Sequence, residues 1–143
     1  MPPQNIVATR ADQLLKLHQG PRILALANVW DVASAKLVER AGFPAIATSS
    51  AAVANALGYP DGERISREEM LAAVGRIAAK VSVPVTADLE AGYGASLEEI
   101  ARTAEGLLAA GAVGMNFEDS TDDPKNPLAG ITEQSARIRA LRE

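Results

Sequence analysis

The stretch Val83-Pro84-Val85-Thr86-Ala87-Asp88-Leu89-Glu90-Ala91-Gly92-Tyr93-Gly94 runs from β-branched and small residues into two carboxylates and then into a turn bracketed by glycines. A short continuous apolar run of this kind reads as a strand buried on both faces, as in parallel sheets. Pro84 fits only near the start of such a strand, where no ladder donor is needed. The acids then fall at the strand's carboxyl end. In parallel α/β folds that end is the functional rim, because the βα loops converge there.

Three other runs share the pattern: Ile23-Leu24-Ala25-Leu26-Ala27 after Gly20-Pro21, Ala45-Ile46-Ala47-Thr48, and Gly114-Met115-Asn116-Phe117-Glu118. Helical spacing separates them. Val32, Ala35 and Val38 lie on one face of a helix over 32–41 that Gly42 stops. Ser66/Glu69 and Ser96/Glu99 have the Ser-x-x-Glu spacing of a capping box. Ile100, Ala104, Leu107 and Leu108 share a face of the helix that ends at Ala110-Gly111. The segment between Thr48 and Ser66 reads as a long connection containing Gly58-Tyr59-Pro60-Asp61-Gly62. Residues 120–129, rich in Asp, Pro and Asn, read as a βα loop, and 132–141 as a last helix.

This alternation predicts an α/β fold of about four βα units with parallel strands. The small-residue helix ends Glu39-Arg40-Ala41-Gly42 and Ala109-Ala110-Gly111 form a faint repeat one pair of units apart. A flavodoxin-like open sheet has the same alternation but needs a strand after residue 131, where helix is expected. At 143 residues and 48% hydrophobic composition, the chain is long enough for one ordinary domain over 1–143, short of the roughly 250 residues of a complete (β/α)₈ barrel.

The net charge of −4, without a Lys/Arg run, offers no footprint for nucleic acid or an anionic membrane surface and points to a small-molecule partner. Without cysteine, disulfides, Cys-ligated zinc and thiol nucleophiles are excluded. Met1-Pro2-Pro3-Gln4-Asn5 lacks a basic region followed by an apolar core, and no window reaches the roughly 18 apolar residues of a membrane span, so a cytoplasmic protein is expected.

Asp88 and Glu90 follow strand three, Glu118 and Asp119 follow strand four, and Asp61 lies in the loop after strand two. Crowded carboxylates repel unless a cation compensates. Mg²⁺ suits them, because it prefers oxygen ligands and keeps several waters. The same acids could instead solvate loops or cap helices, and Asp61-Gly62 could be a plain turn. His18, in an N-terminal helix, is no ligand candidate. Lys16, Lys36 and Lys80 lie in or beside helices and Lys125 in a loop, which leaves no lysine for Schiff-base chemistry. No histidine is placed for a serine triad. Gly92-Tyr93-Gly94 lets backbone approach a ligand but is no dinucleotide fingerprint.

Several runs carry a resemblance. Asn28-Val29-Trp30-Asp31-Val32-Ala33-Ser34-Ala35, Ala41-Gly42-Phe43 through Thr48-Ser49-Ser50, and Gly58-Tyr59-Pro60-Asp61-Gly62 resemble the opening of the isocitrate lyase and phosphoenolpyruvate mutase superfamily. The 83–94 run and Ala110-Gly111-Ala112-Val113-Gly114-Met115-Asn116-Phe117-Glu118-Asp119 are similar to its two metal-site signatures.

The resemblance implies the N-terminal half of a (β/α)₈ TIM barrel, in a family that makes or breaks C–C or C–P bonds beside a carboxylate. Mg²⁺ there holds a 2-oxo acid or its enolate. It implies Asp88, Glu90 and Glu118 as metal ligands and Asp61 as a catalytic group approaching the substrate or its metal-bound water. The backbone of Ser49 and Ser50 would receive the substrate carboxylate and oxygen, with Trp30 and Tyr93 also in the substrate-binding set.

Two departures shape these expectations. The lyase branch carries Lys-Lys-Cys-Gly-His after its Glu-Asp pair, where this sequence has Pro124-Lys125-Asn126-Pro127-Leu128. The loop is closer to the mutase and phosphonopyruvate hydrolase branch, which makes Asn126 a catalytic candidate. The family also continues through four more βα units, one of them carrying an arginine that pairs with the substrate carboxylate. Half a barrel leaves strands one and four as edges, to be covered by a second copy or a complementing half-barrel. The alternative expectation is a truncated, non-catalytic half-barrel that serves as an oligomeric or interaction module.

Overall fold

A computed structural model describes residues 4–121 and 123–143. Met1-Pro2-Pro3, part of the segment read above for a leader, lies outside them. The elements run α1 (Gln4–Gln19), β1 (Ala27–Val29), α2 (Val32–Arg40), β2 (Ile46–Thr48), α3 (Ser50–Ala56), α4 (Arg67–Ala78), β3 (Val85–Asp88), α5 (Leu97–Ala110), β4 (Gly114–Asn116) and α6 (Ile131–Arg142). The four strands form one sheet in the order β1-β2-β3-β4. Every pairing is parallel, with Ala27 opposite Ile46, Ile46 opposite Val85, and Asp88 opposite Asn116. This is the expected α/β fold of four βα units.

The helix starts follow the capping signals. Ser66 Oγ accepts from the amide of Glu69, and Ser96 and Glu99 form a reciprocal capping box. Asp31 and Ser34 form another at α2, which the Ser-x-x-Glu pattern does not detect. Each such cap is worth about 1 kcal/mol. Gly111, with φ of 91°, ends α5 in the left-handed conformation that glycine tolerates best.

Between sheet and helices lies a core of small and branched side chains. Val29, Ile46, Val85 and Ala87 from the strands meet Val53 of α3, Met70, Val74 and Ile77 of α4, and Leu107 of α5. Met70, Val74 and Ile77 are spaced i, i+4, i+7, which brings all three onto the face that α4 turns to the sheet. Burying a side chain of this size contributes about 1.5–3 kcal/mol, so α4 anchors the helical layer.

Strand boundaries and one connection depart from expectation, and the fourth strand, expected over 114–118, ends at Asn116. The first strand is Ala27–Val29, not 23–27, and Ile23 is 98% exposed. As an edge strand, β1 can pair only where β2 runs beside it, and the partner of Ala27 is already Ile46, the first residue of β2. Strand three begins at Val85 because Pro84 has no amide to donate; its carbonyl accepts from Ile46 N at 3.1 Å. The connection after β2 opens with an unexpected helix, α3. Its sequence Ser50-Ala51-Ala52-Val53-Ala54-Asn55-Ala56 holds four alanines, the strongest helix formers. Among the described residues no helix is long and apolar enough to cross a membrane.

Candidate active site

The carboxyl ends of β2, β3 and β4 bring Ser50, Asp61, Asp88, Glu90 and Glu118 onto the wall of one open cavity. Asp88 is the last residue of β3. Its amide donates to Thr48 Oγ1 at 3.0 Å, and its Oδ2 accepts from both the amide and the hydroxyl of Ser50, at 2.9 and 2.7 Å. Ser50 N–H is free to do this because it lies in the first turn of α3, where no helical carbonyl is available. The turn at 49–50 therefore orients the carboxylate of the neighbouring strand.

Glu90 is buried yet charged by nature. Its Oε2 accepts from the amide of Glu63 at 2.7 Å, and its Oε1 accepts from the Tyr93 hydroxyl at 2.9 Å. Tyr93 N in turn donates to Glu63 Oε1 at 2.8 Å, closing a ring of three residues. Glu63, Glu90 and Tyr93 have φ values of 53°, 48° and 54°, and among the described residues they are the non-glycine residues in the left-handed region. Each pays about 1–2 kcal/mol of backbone strain, which persists only where surrounding bonds enforce it. Strain of this kind gathers at functional sites.

Burial pushes the Glu90 carboxyl above its ordinary value of 4.5; the bonds from Tyr93 and Glu63 pull it back, and the charges of Asp61 and Glu63 push it up again. Burial, and then the bond to Glu90, hold the Tyr93 phenol well above its ordinary 10.0. The proton thus stays on the phenol, which acts as donor. A carboxyl with a raised folded-state pKa binds its proton more tightly folded than unfolded. Its contribution to stability is complete below 4.5 and is lost as pH rises through the folded value. Tyr93→Phe removes a donor to the charged form, so the Glu90 pKa should rise further and the pH-dependent loss move to higher pH. Carboxyl ¹³C titration of the two proteins checks this, and an unchanged Glu90 curve would contradict the assigned bond.

Glu118 is exposed and accepts from Ser120 Oγ at 2.7 Å, while its amide donates to Glu90 O at 2.7 Å and ties the third and fourth loops together. Asp61 is exposed on the cavity wall. Ser49 caps α3 through its hydroxyl, which accepts from Ala52 N, and does not line the cavity. Tyr93 touches the site through Glu90 and Glu63. Trp30, beside the N-cap of α2 and 45% exposed, faces a separate depression with Leu57 and Arg76. Asn126 is held in its own turn, its side chain donating to Asp123 Oδ2 at 2.8 Å, away from the cavity lining. Glu63 escaped the sequence reading because nothing in its spacing links residue 63 to residue 90.

Among the described residues, no three His, Cys, Asp or Glu side chains stand close enough together to hold a metal ion between them. The donor set nevertheless fits Mg²⁺, which is commonly held by one or two carboxylates and otherwise by water. Asp88, Glu90 and Glu118 offer hard oxygens on one wall, and Glu90 is already held between neighbouring negative charges.

Fold and rim together define a parallel α/β chain of the barrel type with an acidic site at its strand ends. The phosphoenolpyruvate phosphomutase family pattern matches residues 14–143, and the chain belongs to that family. It is 34% identical over 113 residues to 2-methylisocitrate lyase of Escherichia coli K12, covering 74% of this chain and 38% of that one. It is 34% identical over 137 residues to oxaloacetate decarboxylase of Rhodopseudomonas palustris CGA009, covering 92% and 47%. A phosphonopyruvate hydrolase solved with oxalate and Mg²⁺ superposes with a TM-score of 0.86 at 27% identity, covering 92% of this chain and 47% of its own. The chain thus spans less than half the length of these relatives.

Proposed function

We propose that this chain is a Mg²⁺-dependent enzyme, or half of one, that forms or cleaves a C–C or C–P bond in a small 2-oxo carboxylate. The observation that supports it most is the gathering of Asp88, Glu90 and Glu118 on one cavity wall at adjacent strand ends. The relatives named for oxaloacetate and phosphonopyruvate chemistry point to the same substrate class.

In this reading the three carboxylates hold the ion, directly or through water. When bound, Mg²⁺ supplies Lewis-acid polarisation of the substrate's oxo group. Ser50 keeps Asp88 aimed at the cavity; for the backbone turn at Ser49 and Ser50 to receive the substrate carboxylate, as the family resemblance implies, the Ser50 amide has to leave Asp88 Oδ2 and the Ser49 amide has to leave Val29 O. Tyr93 keeps Glu90 charged and in place. Asp61, on the same cavity lining, moves a proton at the substrate, while Trp30 and Asn126 join the site only if their segments close over it. Residues 1–143 act as a single partial barrel domain, in the cytoplasm, with no nucleic-acid or membrane partner.

A Mg²⁺ titration of thermal unfolding tests the metal assignment. Ligand at 100-fold over its dissociation constant stabilises by about 2.7 kcal/mol, so a Tm rise of about 8 °C is expected for a chain of this size. Turnover of oxaloacetate and phosphonopyruvate is assayed in parallel. A flat titration, with Asp88→Ala behaving as the parent, would remove the proposal.

Among the described residues no strand pairs with the outer sides of β1 and β4, which favours a second reading, a non-catalytic half-barrel that pairs with a second copy or with a complementing half. Sedimentation should then show a dimer or a larger species, and turnover of either compound by the chain would reject it.

A further inference from the structure

Helix α6 has no fully buried residue; it lies along α5, with Ala136, Ala140 and Leu141 half-buried, and this packing places the helix without reaching the loops of the site. Polar contacts reach them. Arg137, with its side chain only 16% exposed, directs Nη2 at the carbonyls of Ala91 and Gly94, at 2.6 and 3.2 Å. Its guanidinium lies 5.5 Å from the centre of the Phe117 ring, within the range of a cation–π contact. One turn earlier, Gln134 Nε2 donates to Glu118 O at 3.0 Å. The two side chains are three residues apart, hence on one helix face, and they reach the loops after β3 and β4 respectively.

The carbonyls that Arg137 takes lie between and beyond the strained pair. Ala91 follows Glu90, and Gly94 follows Tyr93. The left-handed turns at Glu90 and Tyr93 expose these carbonyls, and a single charged nitrogen, Nη2, donates to both of them. The ion pair of Arg137 Nη1 with Glu133, at 3.9 Å on an exposed partner, is too long and too solvated to explain why the arginine is held inward. Arg137 Nε is buried and meets no partner among the described residues, so the side chain accepts an unmet donor in order to make the two loop bonds.

We infer that Arg137 is a positioning residue: from α6 it clamps the 91–94 backbone and so fixes the left-handed turns that aim Glu90 into the cavity. The inference rests on the reading of Glu90 as a metal-set residue for its consequence, but not for the clamp itself.

Hydrogen exchange on the full chain tests the clamp without metal. Arg137→Met keeps an unbranched apolar stem and removes the donors. The amides of Gly92, which donates to Leu89 O, and of Tyr93, which donates to Glu63 Oε1, should then exchange about tenfold faster or more, the loss expected for a charge-assisted bond. The amides of β3 should keep their protection. Arg137→Lys, which still offers N–H donors, should recover most of the protection, and Glu133→Gln should leave it as in the parent. Unchanged protection at Gly92 and Tyr93 in Arg137→Met would overturn the inference. So would loss spread equally over β3, which is what a merely structural role gives. With Mg²⁺ present, Arg137→Met should raise the Kd about tenfold, as loss of an outer-shell partner does. A parent chain that binds no Mg²⁺ would sink the metal reading, and the exchange data would still decide the clamp.

Discussion

Asp88→Asn is expected to abolish the Mg²⁺-dependent rise in Tm while leaving the metal-free protein close to the parent in stability. Asp88 Oδ2 holds both donors of Ser50, and an asparagine oxygen placed there can keep accepting both. The amide replaces Oδ1, which accepts only a long bond from Glu90 N at 3.4 Å, so little metal-free stability is lost, and it removes the charge. Loss of a partner outside the ligand shell already costs 10–100-fold in metal affinity, so losing a ligand's charge should cost about 100-fold or more. Asp88→Ala should do worse in both respects, because it orphans the Ser50 amide and hydroxyl, and an unmet buried donor costs about 1–3 kcal/mol. Calorimetric titration with Mg²⁺, alongside thermal melts without it, separates the two effects. Glu118→Gln supplies the comparison: Glu118 is exposed and bonded only through Ser120 Oγ and its own backbone, so its loss should weaken Mg²⁺ and move metal-free Tm little. Equal Mg²⁺ affinity in Asp88→Asn and the parent would place the ion elsewhere.

The contrast between these carboxylates shows which parts of the site could be read in the sequence. Asp88, Glu90 and Glu118 are legible because a buried parallel strand announces itself as an apolar run, and the run's end fixes the rim. Their placement needs nothing but local pattern. Glu63 and Arg137 are not legible in this way. The Glu63–Glu90 and Arg137–Ala91 bonds span 27 and 46 residues, and they depend on backbone turns that no periodicity encodes. Glu90 and Tyr93 in the left-handed region are a further instance, since neither residue type favours it. Helix α3 was legible in principle, as its alanines show, but seven residues are too few to display a helical period. The shifted start of β1 belongs to the sheet, because an edge strand's extent is set by its partner's and not by its own hydrophobicity.

Gly92→Ala carries the largest stability change we expect, and it would reach the site through the same loop. Gly92 has φ of 93°, and a Cβ there would lie 2.7 Å from both Ile100 Cδ1 and Phe117 Cε2. The first fact costs an alanine about 1–2 kcal/mol. The second forces two packed side chains apart at about 1–3 kcal/mol. The Gly92 backbone cannot back away cheaply, since Thr103 Oγ1 donates to Gly92 O at 2.7 Å and the Gly92 amide donates to Leu89 O at 2.8 Å, and Ile100 is itself fully buried. Together they predict a loss of about 2–5 kcal/mol, or a Tm lower by about 6–15 °C. Gly42→Ala isolates the backbone share: its φ is 88°, but nothing lies within 4 Å of the added Cβ, so only about 1–2 kcal/mol should be lost. Equal losses at 42 and 92 would mean that the contact with Ile100 and Phe117 yields freely. A larger loss at 92, joined to weaker Mg²⁺ binding, would show that the floor under the loop also sets where Glu90 points.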